Sequence, residues 1–305
     1  LLVITMSMYY GAIPLQNPFQ GGTMNARVIQ QILPARSSRD GDGVRIQRVV
    51  GQRQHDMDPF LMLDEIRSDD QADYIGGFPP HPHRGIETLT YMLAGGFVHE
   101  DDFGNRGELR NGGAQWMSSG RGIIHSEMPL IHQGLLHGFQ LWINLPAAQK
   151  MKAPEYRQAT AEELPLVSLN NGASVRVFGG SWTLDGQTLG SPLDHMAAAA
   201  RTLDLHLPAA CSLSLELPAN DTLLAYVYEG SLEVGLSIQK GQLARFGSGE
   251  QVTLTAGKSA TRLLLLAGTP LGEPIVQHGP FVMNSEAQIR QAIADYQNGT
   301  LGSSQ

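Results

Sequence analysis

The sequence predicts an all-β chain, two β domains in tandem followed by one short C-terminal helix. Three observations lead there. Apolar or alternating runs of strand length recur throughout. The 35 glycines and 17 prolines are spread along the 305 residues rather than clustered, which predicts many turns between short strands. Only near the C-terminus do apolar residues fall at helical spacing. A hydrophobic fraction of 42% with 16% charged residues suits a folded chain and argues against long disordered tracts.

Residues 1–23 contain no Lys or Arg, which argues against a secretory signal peptide, and a domain-like sequence opens at Met24 (MNARVIQQILPA). Residues 1–23 are therefore expected to be a leader outside the fold. Residues 24–146 form the first domain, with strand-like runs at Val44 to Val50, Ile86 to Leu93 and Leu136 to Leu145. Gly41-Asp42-Gly43, Gly95-Gly96 and Asn111-Gly112-Gly113 mark tight turns between them. Residues 147–165 are polar, carry Pro154 and Pro165, and read as a connector. The strand rhythm returns over 166–284, where Thr202 to Leu207 and Ser212 to Leu217 alternate in period two. In the final segment, 285–305, Ser285 is the expected N-cap of a helix carrying Ile289, Ile293 and Tyr296, with Gly299 as its stop. An internal echo links Tyr91-Met92-Leu93-Ala94-Gly95 to Tyr226-Val227-Tyr228-Glu229-Gly230.

Charge and cysteine content exclude several functions. With 21 Lys+Arg against 29 Asp+Glu the net charge is −8, so no basic stripe for direct nucleic-acid binding is expected. No apolar run has the length of a membrane helix. The single Cys211 rules out an internal disulfide and a Cys-rich zinc site, and is compatible with the cytoplasm, the expected location.

Seven of the ten histidines lie between His55 and His137, in two notable motifs: His81-Pro82-His83 and His125-Ser126-Glu127. On a strand, residues i and i+2 face the same side, so each motif projects two donors together. Two such strands in one barrel would bring His81, His83, His125 and Glu127 to a common point. A lone His-x-His is often structural; its combination with His-x-Glu points to a metal. Nitrogen and oxygen donors without thiolate suit Fe(II), Mn(II), Co(II), Ni(II), Cu(II) or Zn(II) and disfavour Ca(II). Four protein ligands on an octahedral ion leave two positions open. Glu87 shares parity with His83 and is either an acid behind the ligands or a paired structural carboxylate. His99-Glu100-Asp101-Asp102 reads as a solvated turn, Asp64-Glu65 as a hydrogen-bonding element, and His55, His132 and His137 as structural or exposed.

HPHRGIETLTYMLAGG, QWMSSGRGIIHSEMP, GFQLWINLP and HGPFVMNSEAQIRQAIADYQNG, in that order, resemble the pirin family from about Met24 to Leu301. The resemblance implies a double cupin, two antiparallel β-barrel (jelly-roll) domains packed face to face. It implies one metal, usually iron, held only in the N-terminal barrel by His81, His83, His125 and Glu127. Some members resemble quercetin 2,3-dioxygenases, which open a flavonol ring with O2 and release carbon monoxide. In that chemistry Glu127 would be the base for the flavonol 3-hydroxyl. Other members resemble regulators that contact transcription factors or metabolic enzymes and use iron as a redox sensor, so a protein partner is the alternative expectation.

Overall fold

The structure is a computed structural model that describes residues 25–303 except 52, 54 and 132. The expected leader and His132 lie outside the described residues. The chain is mostly β and forms two barrels of the same plan, each a seven-stranded sheet facing a four-stranded one. In the first barrel the large sheet runs Glu155–Ala159, Ala114–Ser118, Ile86–Ala94, Leu136–Asn144, Phe60–Ser68, Val44–Val49, Arg36–Asp40. Its small sheet runs Phe78–His83, Ile123–Pro129, Gly96–Asp101, Arg106–Arg110. In the second barrel the large sheet runs Ile29–Pro34, Gln242–Phe246, Thr222–Glu229, Thr261–Gly268, Arg201–Leu207, Ser174–Gly179, Val167–Ser168.

The barrels exchange their end strands. Ile29–Pro34, from the start of the chain, pairs with Gln242–Phe246 in the second barrel. Glu155–Ala159, inside the segment expected to be a connector, pairs with Ala114–Ser118 and ends the first large sheet. The C-terminal helix, Glu286–Gln297, also crosses back. Phe281, Met283, Ile289 and Leu301 pack with Ile124 of the first barrel. Ser285 caps this helix as its sequence predicts, its hydroxyl accepting from the Gln288 amide, and Gly299 follows its end at φ +69°.

Alternation along the large sheets explains why their central strands look apolar throughout. In Leu263-Leu264-Leu265-Leu266, the odd residues fill the second barrel and the even ones pack in the interface between barrels. Tyr91 and Tyr226, the residues of the internal echo, occupy equivalent strands and act reciprocally. The Tyr91 hydroxyl donates to Asp204 of the second barrel at 2.9 Å, and the Tyr226 hydroxyl to Glu65 of the first at 2.7 Å. Asp64-Glu65 is thus a hydrogen-bonding pair on opposite faces of one strand, with Arg48 bonding Asp64 at 2.8 Å and 2.6 Å.

The two interiors differ in kind. The second is lined by Leu203, Leu205, Leu213, Leu215, Leu263 and Leu265 among others. The first places Thr90, Gln115, Gln140, His125 and Glu127 inside, all buried. Polar groups are kept in a barrel interior only where each finds a partner or a ligand.

Candidate metal centre

The strand Phe78–His83 pairs antiparallel with Ile123–Pro129, and His81 lies directly opposite His125. Period two then brings His83 to the same face. Ligand atoms of His81, His83 and His125 all lie within 4.8 Å of one another. The register shifts between His125 and Glu127 on the side facing His81. Glu127 is buried on the same strand, but its carboxylate is not within that histidine cluster. Its Oε1 accepts from Gln115 and from Thr90, and its Oε2 from Gln140 at 2.7 Å.

The donors suit a metal. Nδ1 of His81 bonds the Pro79 carbonyl at 2.8 Å, and Nδ1 of His83 bonds that of Pro280 at 3.4 Å. A carbonyl only accepts, so both rings carry the proton on Nδ1 and keep an Nε2 lone pair. Nε2 of His125 is buried without a hydrogen-bond partner among the described residues, a costly arrangement that a metal ion would satisfy. Burial, helped by the neighbouring His81, pushes His83 down to about 3; burial and the other imidazoles also hold His125 well below its usual value. Both rings are therefore neutral at pH 7, the form that ligates metals.

The C-terminal segment props this centre from outside. Besides Pro280, the Arg84 guanidinium bonds Asp295 on the helix at 2.7 Å. Gly85 then turns the chain at φ +81°, where a Cβ would meet the Val282 carbonyl at 2.1 Å, so the close approach needs glycine. The Lys150 ammonium gathers the carbonyls of Gly85 and Val282, each at 2.9 Å, and Asn144 Oδ1 at 2.7 Å.

A cavity of about 710 Å³ opens onto His81 and His83, lined also by Phe78, Met62, Trp142 and Gln140. Trp142 stands edge-on to His83, ring centroids 5.2 Å apart.

One open alternative is decided and one expectation changes. Glu87 belongs to the large sheet and faces the other barrel, accepting from the Ala197 amide at 2.8 Å with Lys152 at 3.6 Å. It is the paired structural carboxylate. His99 and Asp101 are not in a solvated turn: they sit in the strand Gly96–Asp101 with fully buried side chains. Their i, i+2 spacing was the available signal, since it gives them one face and leaves Glu100 outside. His137 is structural, bonding Glu65 at 2.9 Å, and His55 is exposed.

Fold and site together define a double cupin whose N-terminal barrel gathers three imidazoles around a space a metal could fill. Two family models match the chain, Pirin over residues 43–143 and the Pirin C-terminal cupin domain over 202–302. The chain belongs to the pirin family. It is 50% identical over 274 residues to a Vibrio cholerae protein named "Putative quercetin 2,3-dioxygenase", covering 90% of this chain and 97% of that one. It is 36% identical over 277 residues to human pirin, covering 88% of this chain and 91% of that one. The crystal structure of quercetin 2,3-dioxygenase from Acinetobacter baumannii superposes with a TM-score of 0.82 at 30% identity, covering 91% of this chain and 99% of that one. No helix among the described residues is long and apolar enough to cross a membrane.

Proposed function

We propose that this chain holds one divalent metal, iron(II), on His81, His83, His125 and Glu127, and uses O2 to open the ring of quercetin or a similar flavonol. The observation that carries the reading is the cavity over His81 and His83, which joins apolar walls to a cluster of imidazoles. The names of the Vibrio and Acinetobacter relatives support the same substrate class. When bound, the metal would supply a redox-active Lewis acid where O2 and a chelating flavonol meet.

The chain's own residues do the rest. Phe78 and Trp142 offer aromatic faces and edges to a flat substrate in the cavity. Gln115, Gln140 and Thr90 hold the Glu127 carboxylate in one orientation while leaving it a free lone pair. That lone pair would hold the metal in the resting site and, once the carboxylate swings off, take the proton of the flavonol 3-hydroxyl.

Purified protein loaded anaerobically with Fe(II) should consume O2 and bleach the quercetin absorbance on mixing, and Glu127→Ala should not. Tight iron binding without turnover would overturn the enzyme reading in favour of a redox-responsive regulator.

A further inference from the structure

We propose that Asp101 and His99 are positioning residues which fix the His125 imidazole as its Nδ1–H tautomer, turning the Nε2 lone pair toward the other two histidines. The inference rests on the metal reading above and extends it beyond the ligands. The Asp101 side chain has no exposure, and its orientation is set by the turn that follows. Oδ1 accepts from the backbone amides of Phe103 and Asn105, both at 3.0 Å, and from Asn105 Nδ2 at 3.1 Å. That leaves Oδ2 for Asn105 Nδ2 at 2.8 Å and His99 Nε2 at 3.2 Å.

The proton positions follow by elimination from these partners. A carboxylate only accepts, so His99 donates from Nε2, and in the proposed relay its Nδ1 is bare. Nδ1 of His99 lies 3.3 Å from Nδ1 of His125. One of the two must donate, and in the proposed relay it is His125, whose Nδ1 proton points at the Nδ1 of His99. Its Nε2 is then unprotonated, and that is the buried atom with no partner. Tyr156 stacks on the His99 ring at 4.2 Å and 13°, which fixes the plane of the relay. His81 and His83 are oriented by backbone carbonyls, which no substitution can change into donors. His125 is oriented through side chains, so its tautomer is open to mutation.

Asp101→Asn is the test. The backbone amides of Phe103 and Asn105 would keep the side-chain oxygen at the Oδ1 position, placing the new NH2 toward His99 Nε2. His99 would then protonate Nδ1, and His125 would move its proton to Nε2. Nitrogen-15 NMR of the metal-free protein at neutral pH should show His125 protonated on Nδ1 in wild type and on Nε2 in Asp101→Asn. Calorimetric titration with Ni(II) should show affinity weakened about 10–100-fold, the usual loss when a group orienting a ligand is altered. His99→Phe keeps the stack on Tyr156 but removes the acceptor; it should weaken Ni(II) binding too, and it serves if Asp101→Asn does not fold. An unchanged His125 tautomer, with Ni(II) affinity within about twofold of wild type in a folded variant, would overturn the proposal. Wild type that takes up no Ni(II) would instead sink the metal reading, while the metal-free tautomer measurement would still decide the role of Asp101.

Discussion

Arg84 Nη1 donates to Asp295 Oδ2 at 2.7 Å, so the residue beside His83 is anchored to the C-terminal helix more than 200 positions away. The Arg84 side chain is only 4% exposed and that of Asp295 12%, so neither charge has much water to fall back on. Asp295→Ala should destabilise the protein by about 3 kcal/mol, because the guanidinium is left buried without a counter-charge, with only the Arg121 carbonyl to bond. Urea unfolding would check this; a change below about 1 kcal/mol would mean that the pair behaves like a surface salt bridge. Burial works to raise the Asp295 carboxyl, but hydrogen bonds from Arg84 and Gln291 outweigh it and hold the group below the usual carboxylate range. Its contribution should be complete above about pH 4 and fade as pH falls through the lower folded value.

The metal-free protein should lose stability on mild acidification. An unfolded histidine takes up its proton near pH 6.5, whereas His83 resists protonation until about 3. Between those values the unfolded chain binds more protons, so stability should fall with pH by about 1.4 kcal/mol per unit for each such ring. His125 is shifted in the same direction. Urea midpoints at pH 7, 6 and 5 should decline, and His83→Gln should flatten the slope; parallel slopes for both proteins would contradict the assignment.

Metal should stabilise the folded state by mass action. At about 100 times its dissociation constant, Ni(II) or Fe(II) should add about 2.7 kcal/mol, seen as a rise of several degrees in Tm. A chelator should reverse the rise, and His81→Ala should remove most of it. Cys211→Ser should leave it unchanged, since Cys211 bonds only near Asn171 and Ser212 in the second barrel.

Gln140 both lines the cavity and holds Glu127 Oε2, so Gln140→Leu should act on the chemistry more than on folding. Flavonol turnover should drop about 10–100-fold with the Tm shifted by only a few degrees. Turnover equal to wild type would show that Glu127 needs no donor on that oxygen.

What could be read in the sequence was whatever depends on local period. Strand runs, the capped helix and the clustering of His81, His83 and His125 follow from i, i+2 or helical spacing, whereas the Glu127 carboxylate lies outside that cluster. Strand membership could not be read that way. Glu155–Ala159 is a short edge strand in a segment with two nearby prolines, and what makes it a strand is its pairing with Ala114–Ser118. Glu87 had the right parity for an interior acid, yet it lies on the large sheet and the opposite barrel claims its carboxylate. His99 and Asp101 were masked by the acidic residues around them, although alternate burial separates the two from Glu100.

The exchanged end strands bear on how the protein is made. Ile29 pairs with Phe246, so this strand must wait for more than 200 further residues to be made before its partner exists. Until then it is an unsatisfied edge, and the second sheet lacks its last member. Such long-range closure slows folding and makes it a late, all-or-none event. Cutting the chain between Ala159 and Val167 would leave the second barrel without its Ile29–Pro34 edge strand, which the first half would carry.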